Sequence, residues 1–582
     1  MSQDTGMNGM RALAALGVAL AVAAGAYALR HRAAGGSDGP DLPPGNAVSL
    51  VLGRGGIVVE GDAADPIAGV RVTHEGAERA LDGSWTWPDA GRAALFFDTS
   101  ERPLDVRVET KHREQSFRVD GSWAPAPVLL RSIDLTLPAD YAADQVPDAV
   151  AAFSPDGQWL AYASAGGELA LQNVTGSTER LRRPLAEGYV KDLAFAADGS
   201  MLVAGEQSPD GFVYGFDVAS GKEAWRFRLA DELESSPPEG GAYGVYAFPG
   251  AYRVLAAGAD VLVLGLHSWR PGPQQKRSLS RIYRLDAKTG AVRWRFPAAA
   301  PLPRNLTWLS ASADGSRVVC VSSIPGAGQQ TGDDADLEVL ALDGVSGAET
   351  GRLTLPPLAP HFKSAYSWQS LAVVPDGSCA LLGANDGRVW SLDLKDGQPS
   401  VRWRCDVGTP IQAGTLSVHC HIGWGAASGE ALFVTVDKNY EPFGAVTQPS
   451  RPPDVHPEAA TVQAFAPGGT EAQRLWRFDV PGRPQGLWLS PDRRWLAAGY
   501  HQPAGTNAFN QATPPDFGIA LLDLSRPGSG REKLVWAYAT EGPVFFRAAF
   551  SADGRYLAVI EGPKPSPDRL SATRTYRLLV LH

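Results

Sequence analysis

Short apolar runs recur through residues 149–582, each interrupted by an Asp-Gly type of turn. "AFSPDGQWLAYA" (152–163), "AFAADGSMLVAG" (194–205), "SASADGSRVVCV" (310–321), "AVVPDGSCALLG" (372–383), "WLSPDRRWLAAG" (488–499) and "AFSADGRYLAVI" (549–560) share one form. Two weaker copies, "YAFPGAYRVLAAG" (246–258) and "WGAASGEALFVTV" (424–436), fill the gaps. Apolar strand, tight turn, apolar strand is a hairpin signature. An alternating strand follows each hairpin, as in "FVYGFDV", "RIYRLDA" and "RVWSLDL". Next come an Asp-x-x-x-Gly turn and a Trp-bearing run: "FDVASGKEAWRFRL" (216–229), "RLDAKTGAVRWRF" (284–296) and "SLDLKDGQPSVRWRC" (391–405). Residues 466–480 and 521–539 are looser copies, and 343–347 keep the turn but lose the Trp.

The pattern predicts four short antiparallel strands per repeat, A to D, with Asp-x-x-x-Gly as the C–D turn and Gly supplying a positive φ. A lone four-stranded sheet leaves two edges and a face unburied, and radial stacking of repeats removes both problems. The tryptophans of strand D are expected to cover the sheet face beside the neighbouring repeat rather than to stack on a ligand. Eight repeats begin near residues 149, 190, 242, 306, 368, 412, 485 and 544. The last has strands A, B and C, then ends at His582. "SIDLTLPADYAADQ" (132–145) precedes the first repeat and reads like the strand D "WRFRLADELESS" (225–236). It is expected to complete the eighth repeat, joining both ends of the domain and hiding an open edge.

These phrases resemble two repeat families. "FSPDGxxLA" is similar to the WD-repeat/YVTN class, and "DxxTGxxxWRF" to the PQQ-like, quinoprotein-type repeats. The resemblance covers residues 132–582 and implies an all-β fold, an eight-bladed β-propeller closed by an N-terminal strand (131–582). It implies little about function, because this architecture hosts enzymes, scaffolds and receptors. Residues 46–130 alternate apolar and polar positions between Gly/Asp/Pro turns. "ADPIAGVRV" and "DGSWTWP" resemble the small carboxypeptidase-regulatory-like or transthyretin-like β-sandwich.

The N-terminus differs. Residues 12–29, "ALAALGVALAVAAGAYAL", carry no charge and are bracketed by Arg11 and by Arg30, His31 and Arg32. As a helix they span roughly 27 Å, just short of the ~30 Å hydrocarbon core of a bilayer. The segment 1–32 reads as an uncleaved membrane anchor, with a signal peptide cleaved after Ala26-Tyr27-Ala28 or a surface helix as alternatives. The flanking arginines alone would place the following domain in the cytoplasm, but the short tail weakens that rule. The expected location is the inner membrane facing the periplasm, or the periplasm after cleavage. Residues 33–45, "AAGGSDGPDLPPG", read as a linker.

Composition narrows the function. The chain has 582 residues, 44% hydrophobic and 20% charged, with Gly 64 and Pro 45, which suits many short strands and a large core. A net charge of −10 and the lack of a Lys/Arg run argue against nucleic acid as a partner. Cys320, Cys379, Cys405 and Cys420 form no CxxC and no adjacent pair, so neither a haem attachment nor the cysteine pair of PQQ dehydrogenases is expected. His419-Cys420-His421 suggests a metal ligand set, but on a strand the two histidines face opposite to the cysteine. Asp333, Asp334, Asp336 and Glu338 lack EF-hand spacing. Phosphate-loop and HExxH motifs are absent from the sequence. No catalytic residue, metal or cofactor is assigned.

Loop length points to one face. The A–B and C–D turns read as uniformly tight, while long B–C connections occur at 267–280, 324–338, 438–460, 501–517 and 562–574. Long loops on a rigid scaffold are where binding tends to reside. Candidate binding residues are Trp269, Arg270, Tyr440, Phe443, Arg451, His501 and Phe509. The reading is a non-catalytic, membrane-tethered propeller that binds a protein partner or scaffolds an envelope complex. The alternative is a periplasmic propeller enzyme, either a quinoprotein-like oxidoreductase or a metal-dependent hydrolase.

Overall fold

The computed structural model describes residues 49–582 apart from short segments, the longest being 61–66, 97–103, 120–126, 138–148, 235–247, 325–335, 443–455, 507–511 and 564–575. The expected membrane segment and linker (1–45) lie outside the described residues. No helix among the described residues is long and apolar enough to cross a membrane.

The protein is all-β, and the chain divides into two compact units. One reaches up to Ser132 and takes in 535–539 and 580–582; the other comprises 133–534 and 540–579. In the first, Ser49–Gly53, Gly56–Glu60, Arg92–Phe96 and Gly83–Trp87 form one antiparallel sheet. Ala77–Glu78, Ile67–His74, Leu104–Thr110 and Glu114–Val119 form another. Strand Leu104–Thr110 shows the period-two signal: Leu104, Val106 and Val108 are fully buried, while Asp105, Arg107 and Glu109 are exposed.

From Val150 onward the chain builds four-stranded antiparallel modules in A-B-C-D order. Module 1 is Val150–Phe153, Trp159–Ala163, Glu168–Asn173 and Glu179–Pro184. Module 2 is Tyr189–Phe195, Met201–Gln207, Phe212–Asp217 and Glu223–Arg228, and module 3 is Gly250–Ala257, Asp260–Gly272, Gln275–Asp286 and Val292–Phe296. A single pair, Gln207 with Gly250, joins these two into one continuous sheet. Modules 4 and 5 run from Leu306–Ala311 to Glu349–Leu355 and from Leu371–Val373 to Ser400–Asp406. Modules 6 and 7 run from Leu416–Ala427 to Arg474–Asp479 and from Arg483–Leu489 to Leu534–Ala539. Module 8 has the order Val544–Phe550, Leu557–Glu561, Arg577–Leu581, Leu129–Asp134.

The N-terminal strand therefore completes the C-terminal sheet, three residues earlier than the sequence suggests. Beyond its end, the Leu135 N–H donates to the Tyr576 carbonyl at 2.8 Å. Strand A of each module lies against strand A of the next, and strand A of module 8 lies against that of module 1. Strand B is buried on both sides, as Trp159–Ala163, Met201–Gln207 and Cys379–Gly383 show by being buried throughout. Burial on both faces explains why their sequences are near-continuous apolar runs rather than alternating ones.

Strand D grips the C–D turn of the following module. The Trp225 indole N–H donates to the Ala287 carbonyl at 2.9 Å, and Trp294 does the same to Gly344 at 2.8 Å. The Trp225 ring packs on Gly290 and the Trp294 ring on Gly347, each the last Gly of its Asp-x-x-x-Gly turn. A β-carbon at Gly290 would stand 2.6 Å from the Trp225 ring, and one at Gly347 2.5 Å from Trp294. These glycines also have φ of +70° and +73°. Where the Trp is lost, another donor takes over: Arg180 to Val218 O at 2.8 Å, and Thr350 Oγ1 to Gly397 O at 2.6 Å. In module 5 the acceptor, Pro467 O, is taken by Ser391 Oγ and Arg402 Nη1, at 2.8 and 3.2 Å, rather than by Trp403. One C–D turn departs from the expected tightness. In module 7 it contains a helical turn, Gly530–Lys533, with a Ser529/Glu532 capping box.

Trp294→Ala is expected to destabilise the repeat domain by ~3–5 kcal/mol in urea titration, the usual loss for a buried Trp. Gly290→Ala should cost more than the ~1–2 kcal/mol of a left-handed alanine, because it also displaces the indole. Gly258→Ala is the control: its φ is +66° with open space around it, so only backbone strain applies. Equal losses for the two glycine variants would show that the indole contact contributes nothing.

Deleting residues 129–135 should broaden thermal unfolding of the repeat domain and expose an aggregation-prone edge at module 8. Deleting 46–124 should leave that transition in place. Calorimetry of both truncations checks this, and indistinguishable traces would contradict closure by the N-terminal strand.

Candidate interaction face

In A-B-C-D modules the B–C and D–A connections share one face. One of its expected long loops, 267–280, is an ordered strand extension, and another, 438–460, begins as one over 438–442. In module 3, Asp260–Gly272 and Gln275–Asp286 pair as far as Gly272 with Gln275, so 267–280 is a long hairpin rather than a loop. Trp269 is correspondingly not an exposed anchor. It is 9% exposed and stacks on His267, with ring centroids 4.3 Å apart. His267 is itself buried and its Nδ1 lies 2.8 Å from the Leu233 carbonyl. In module 6, Leu416–Ala427 and Leu432–Pro442 pair to Leu416 with Pro442. Arg270 and Tyr440 occupy strand positions in these two hairpins. Phe443, Arg451 and Phe509 lie outside the described residues. A small hairpin, Gly505–Thr506 with Ala512–Thr513, occupies part of the long module 7 connection.

His501 is the candidate that the fold places in a cluster. It ends strand B of module 7, opposite Arg483 of strand A. Arg483 grips Asp437 of module 6 through Nε and Nη2, 2.8 and 2.6 Å from the same carboxylate oxygen. Asp437 pairs across its sheet with His421. Cross-strand neighbours on two adjacent modules thus bring His421, Asp437, Arg483 and His501 together. Burial pushes the His421 imidazole below its ordinary pKa. Burial, helped by the Arg483 charge and opposed by Asp437, pushes His501 down to about 4. Both rings are therefore neutral near pH 7.

Two exposed apolar side chains lie on the same face. Tyr366 is 38% exposed, its ring centroid 6.2 Å from that of His421, and its backbone N–H donates to Asn385 Oδ1 at 2.7 Å. Ile411, also 38% exposed, begins the short strand Ile411–Ala413, which pairs with the start of module 6. Beneath them, Phe362 meets His419 edge-on at 4.3 Å. Cys420 faces the other way, into the apolar core with Ile422 and Val436, its Sγ 3.3 Å from His456 Nδ1. The strand alternation expected for His419-Cys420-His421 is what the structure has. Among the described residues, no group of three or more His, Cys, Asp or Glu side chains is placed to hold a metal ion. The Arg483 guanidinium holds one oxygen of the Asp437 carboxylate.

Residues 209–419 match the family model described as outer membrane protein assembly factor BamB. The match runs from strand C of module 2 into strand A of module 6 and covers about a third of the chain. Over this stretch the chain is similar to that family's repeats.

Three solved structures align over most of the chain. The BamB structure from Moraxella catarrhalis has 13% identity and a TM-score of 0.43, covering 78% of this chain and 100% of that one. The C-terminal WD40 domain of Sif2 has 12% identity and a TM-score of 0.41, covering 77% and 99%. The mitotic checkpoint complex has 14% identity and a TM-score of 0.38, covering 80% and 98%. No curated protein matches the chain.

Tyr366 and Ile411 escape a reading based on B–C loops because they belong to D–A connections, which open on the same face. The signal available was the length of the stretch 356–370 between modules 4 and 5. Asp437 and Arg483 are 46 positions apart and carry no local motif linking them.

Because the folded pKa of His501 lies below the ordinary 6.5, protons bind the unfolded chain first. Its contribution is full above pH 6.5 and is lost as pH falls towards 4. His501→Gln should make the loss of stability between pH 6.5 and 4 shallower in a melting series. An unchanged slope would show that the ring titrates normally.

Proposed function

We propose that the chain is a non-catalytic scaffold, an eight-bladed propeller that binds a protein partner in the cell envelope through its B–C/D–A face. The family match over residues 209–419 carries this reading, since that family is described as an outer membrane protein assembly factor. The modules supply the blades, and their neighbouring A strands supply the closed cycle. The two N-terminal sheets pack as a β-sandwich domain spanning 46–130. Residues 12–29 hold the chain at the membrane, with the propeller on the envelope side.

The geometry of the face supports contact rather than catalysis. Tyr and Arg commonly anchor protein interfaces, and truncating a central anchor costs ~2 kcal/mol or more. Tyr366 stands beside the module 6–7 cluster, and the connection 443–455 starts from the hairpin next to it. Arg451 and Phe443 on that connection, and Phe509 on the next, extend the proposed surface.

Replacing 443–455 by a short turn should leave the melting temperature within a few degrees, because loop closure entropy changes slowly with length. Recovery of the partner from solubilised membranes should fall at least tenfold. Tyr366→Ala should lower recovery in the same direction. Full recovery by both variants, with loss on altering the opposite, tight-turn face, would reverse the assignment.

A further inference from the structure

Strand A carries a register shift at a corresponding place in six modules: at Val190/Asp192, Ala251/Arg253, Leu306/Trp308, Ile422/Gly425, Pro484/Gly486 and Val544/Ala548. A β-bulge re-aims the side chains beside it. In modules 2, 3 and 8 the shift falls at charged residues, and these converge. Asp192 is buried, and its Oδ1 accepts from Arg547 Nη1 at 3.1 Å. Its Oδ2 accepts from Arg253 Nη1 at 3.2 Å and from the Val254 backbone N–H at 2.9 Å. Arg547 Nη2 also donates to the Lys191 carbonyl at 2.9 Å. The Lys191 ammonium lies 5.1 and 5.0 Å from the rings of Tyr189 and Tyr252. Arg253 lies 4.6 Å over the Trp308 ring.

Two guanidinium groups from modules far apart in sequence thus share one carboxylate, with a lysine at the next position. Arg253 Nε is buried without a hydrogen-bond partner among the described residues. Burial lowers the Arg253 pKa, Asp192 opposes this, and the like charge of Arg547 adds to it. Arg253 and Arg547 are 26% and 18% exposed and share the Asp192 carboxylate, so both guanidinium groups keep contact with solvent while one carboxylate lies between them. Planar guanidinium forks are the donors that best match carboxylate and phosphate oxygens.

We propose that Arg253 and Arg547, beside Lys191 and opposite Asp192, form a binding site for an oxyanion, a carboxylate or phosphate group. The bound anion bridges modules 8 and 3 across modules 1 and 2 and so strengthens the seam where the two ends of the domain meet. Ligand binding to the folded state alone raises stability in proportion to the logarithm of ligand concentration above Kd.

The test is thermal unfolding of the full chain in detergent, titrated with inorganic phosphate or with acetate, against chloride at equal ionic strength. A saturable rise in melting temperature with either anion beyond chloride is expected, and the anion that saturates at lower concentration identifies the preferred oxyanion. Arg253→Gln should weaken the apparent affinity at least tenfold, while Arg253→Lys should retain part of it. Asp192→Asn keeps a hydrogen-bond acceptor and removes the competing charge, so it should tighten binding. A merely structural ion pair would not show that gain. No rise beyond chloride, or an undiminished rise in Arg253→Gln, would overturn the site. If Arg253→Gln does not fold, the direction of the Asp192→Asn effect decides: tighter binding supports the site and weaker or equal binding overturns it.

Discussion

The contact between strand D and the next module's C–D turn is the constraint on which the repeat domain rests. A four-stranded antiparallel module cannot bury both faces by itself. The indole of Trp225 or Trp294 covers the turn glycine of its neighbour and donates to a carbonyl of the same turn. One residue therefore supplies apolar burial and satisfies a backbone acceptor. The glycine is needed twice over, for its positive φ and for the space its missing β-carbon leaves to the ring. This explains why Asp, Gly and Trp travel together through the sequence.

Substitutions in the weaker copies show that the docking geometry matters more than the indole. Arg180 reaches the corresponding carbonyl, Val218 O, and Thr350 reaches another carbonyl of the equivalent turn, Gly397 O. In module 5 the carbonyl is satisfied by Ser391 and Arg402, and Trp403 keeps only its apolar role at 2% exposure. The motif can thus erode in sequence while the neighbouring modules stay joined. The turn lengthens at residues 466–480 and 521–539, and in the second it takes up a helical segment.

A rigid repeat frees the opposite edge for variation. The A–B and C–D turns are held by local Asp and Ser hydrogen bonds such as Ser312 to Asp314 and Ser346 to Asp343. The B–C and D–A connections carry the long hairpins, Tyr366, Ile411 and the His421–Asp437–Arg483–His501 group. Inside, the bulged A strands bring Asp192, Arg253 and Arg547 to one place. The Asp437–Arg483 pair thus lies on modules 6 and 7, and the Asp192–Arg253–Arg547 group on modules 2, 3 and 8.

The strands, their A-B-C-D order and the closing strand were legible in the sequence, because hairpin turns and period-two or continuous apolar runs are local properties. The structural role of the strand D tryptophans followed from the same logic. The position of the closing strand was legible only to within a few residues, since an edge strand's register depends on its partner. Trp269 could not be judged from its flanking Gly and Pro residues. The hairpin around it buries the ring against His267, and that depends on cross-strand pairing. The clusters at Asp192 and Asp437 were not legible at all. Their members are separated by up to 355 positions, and only the cyclic stacking of modules makes them neighbours. Local chemistry determined what each module is; the tertiary arrangement decided which charged side chains meet, because the residues that carry them are far apart in the chain.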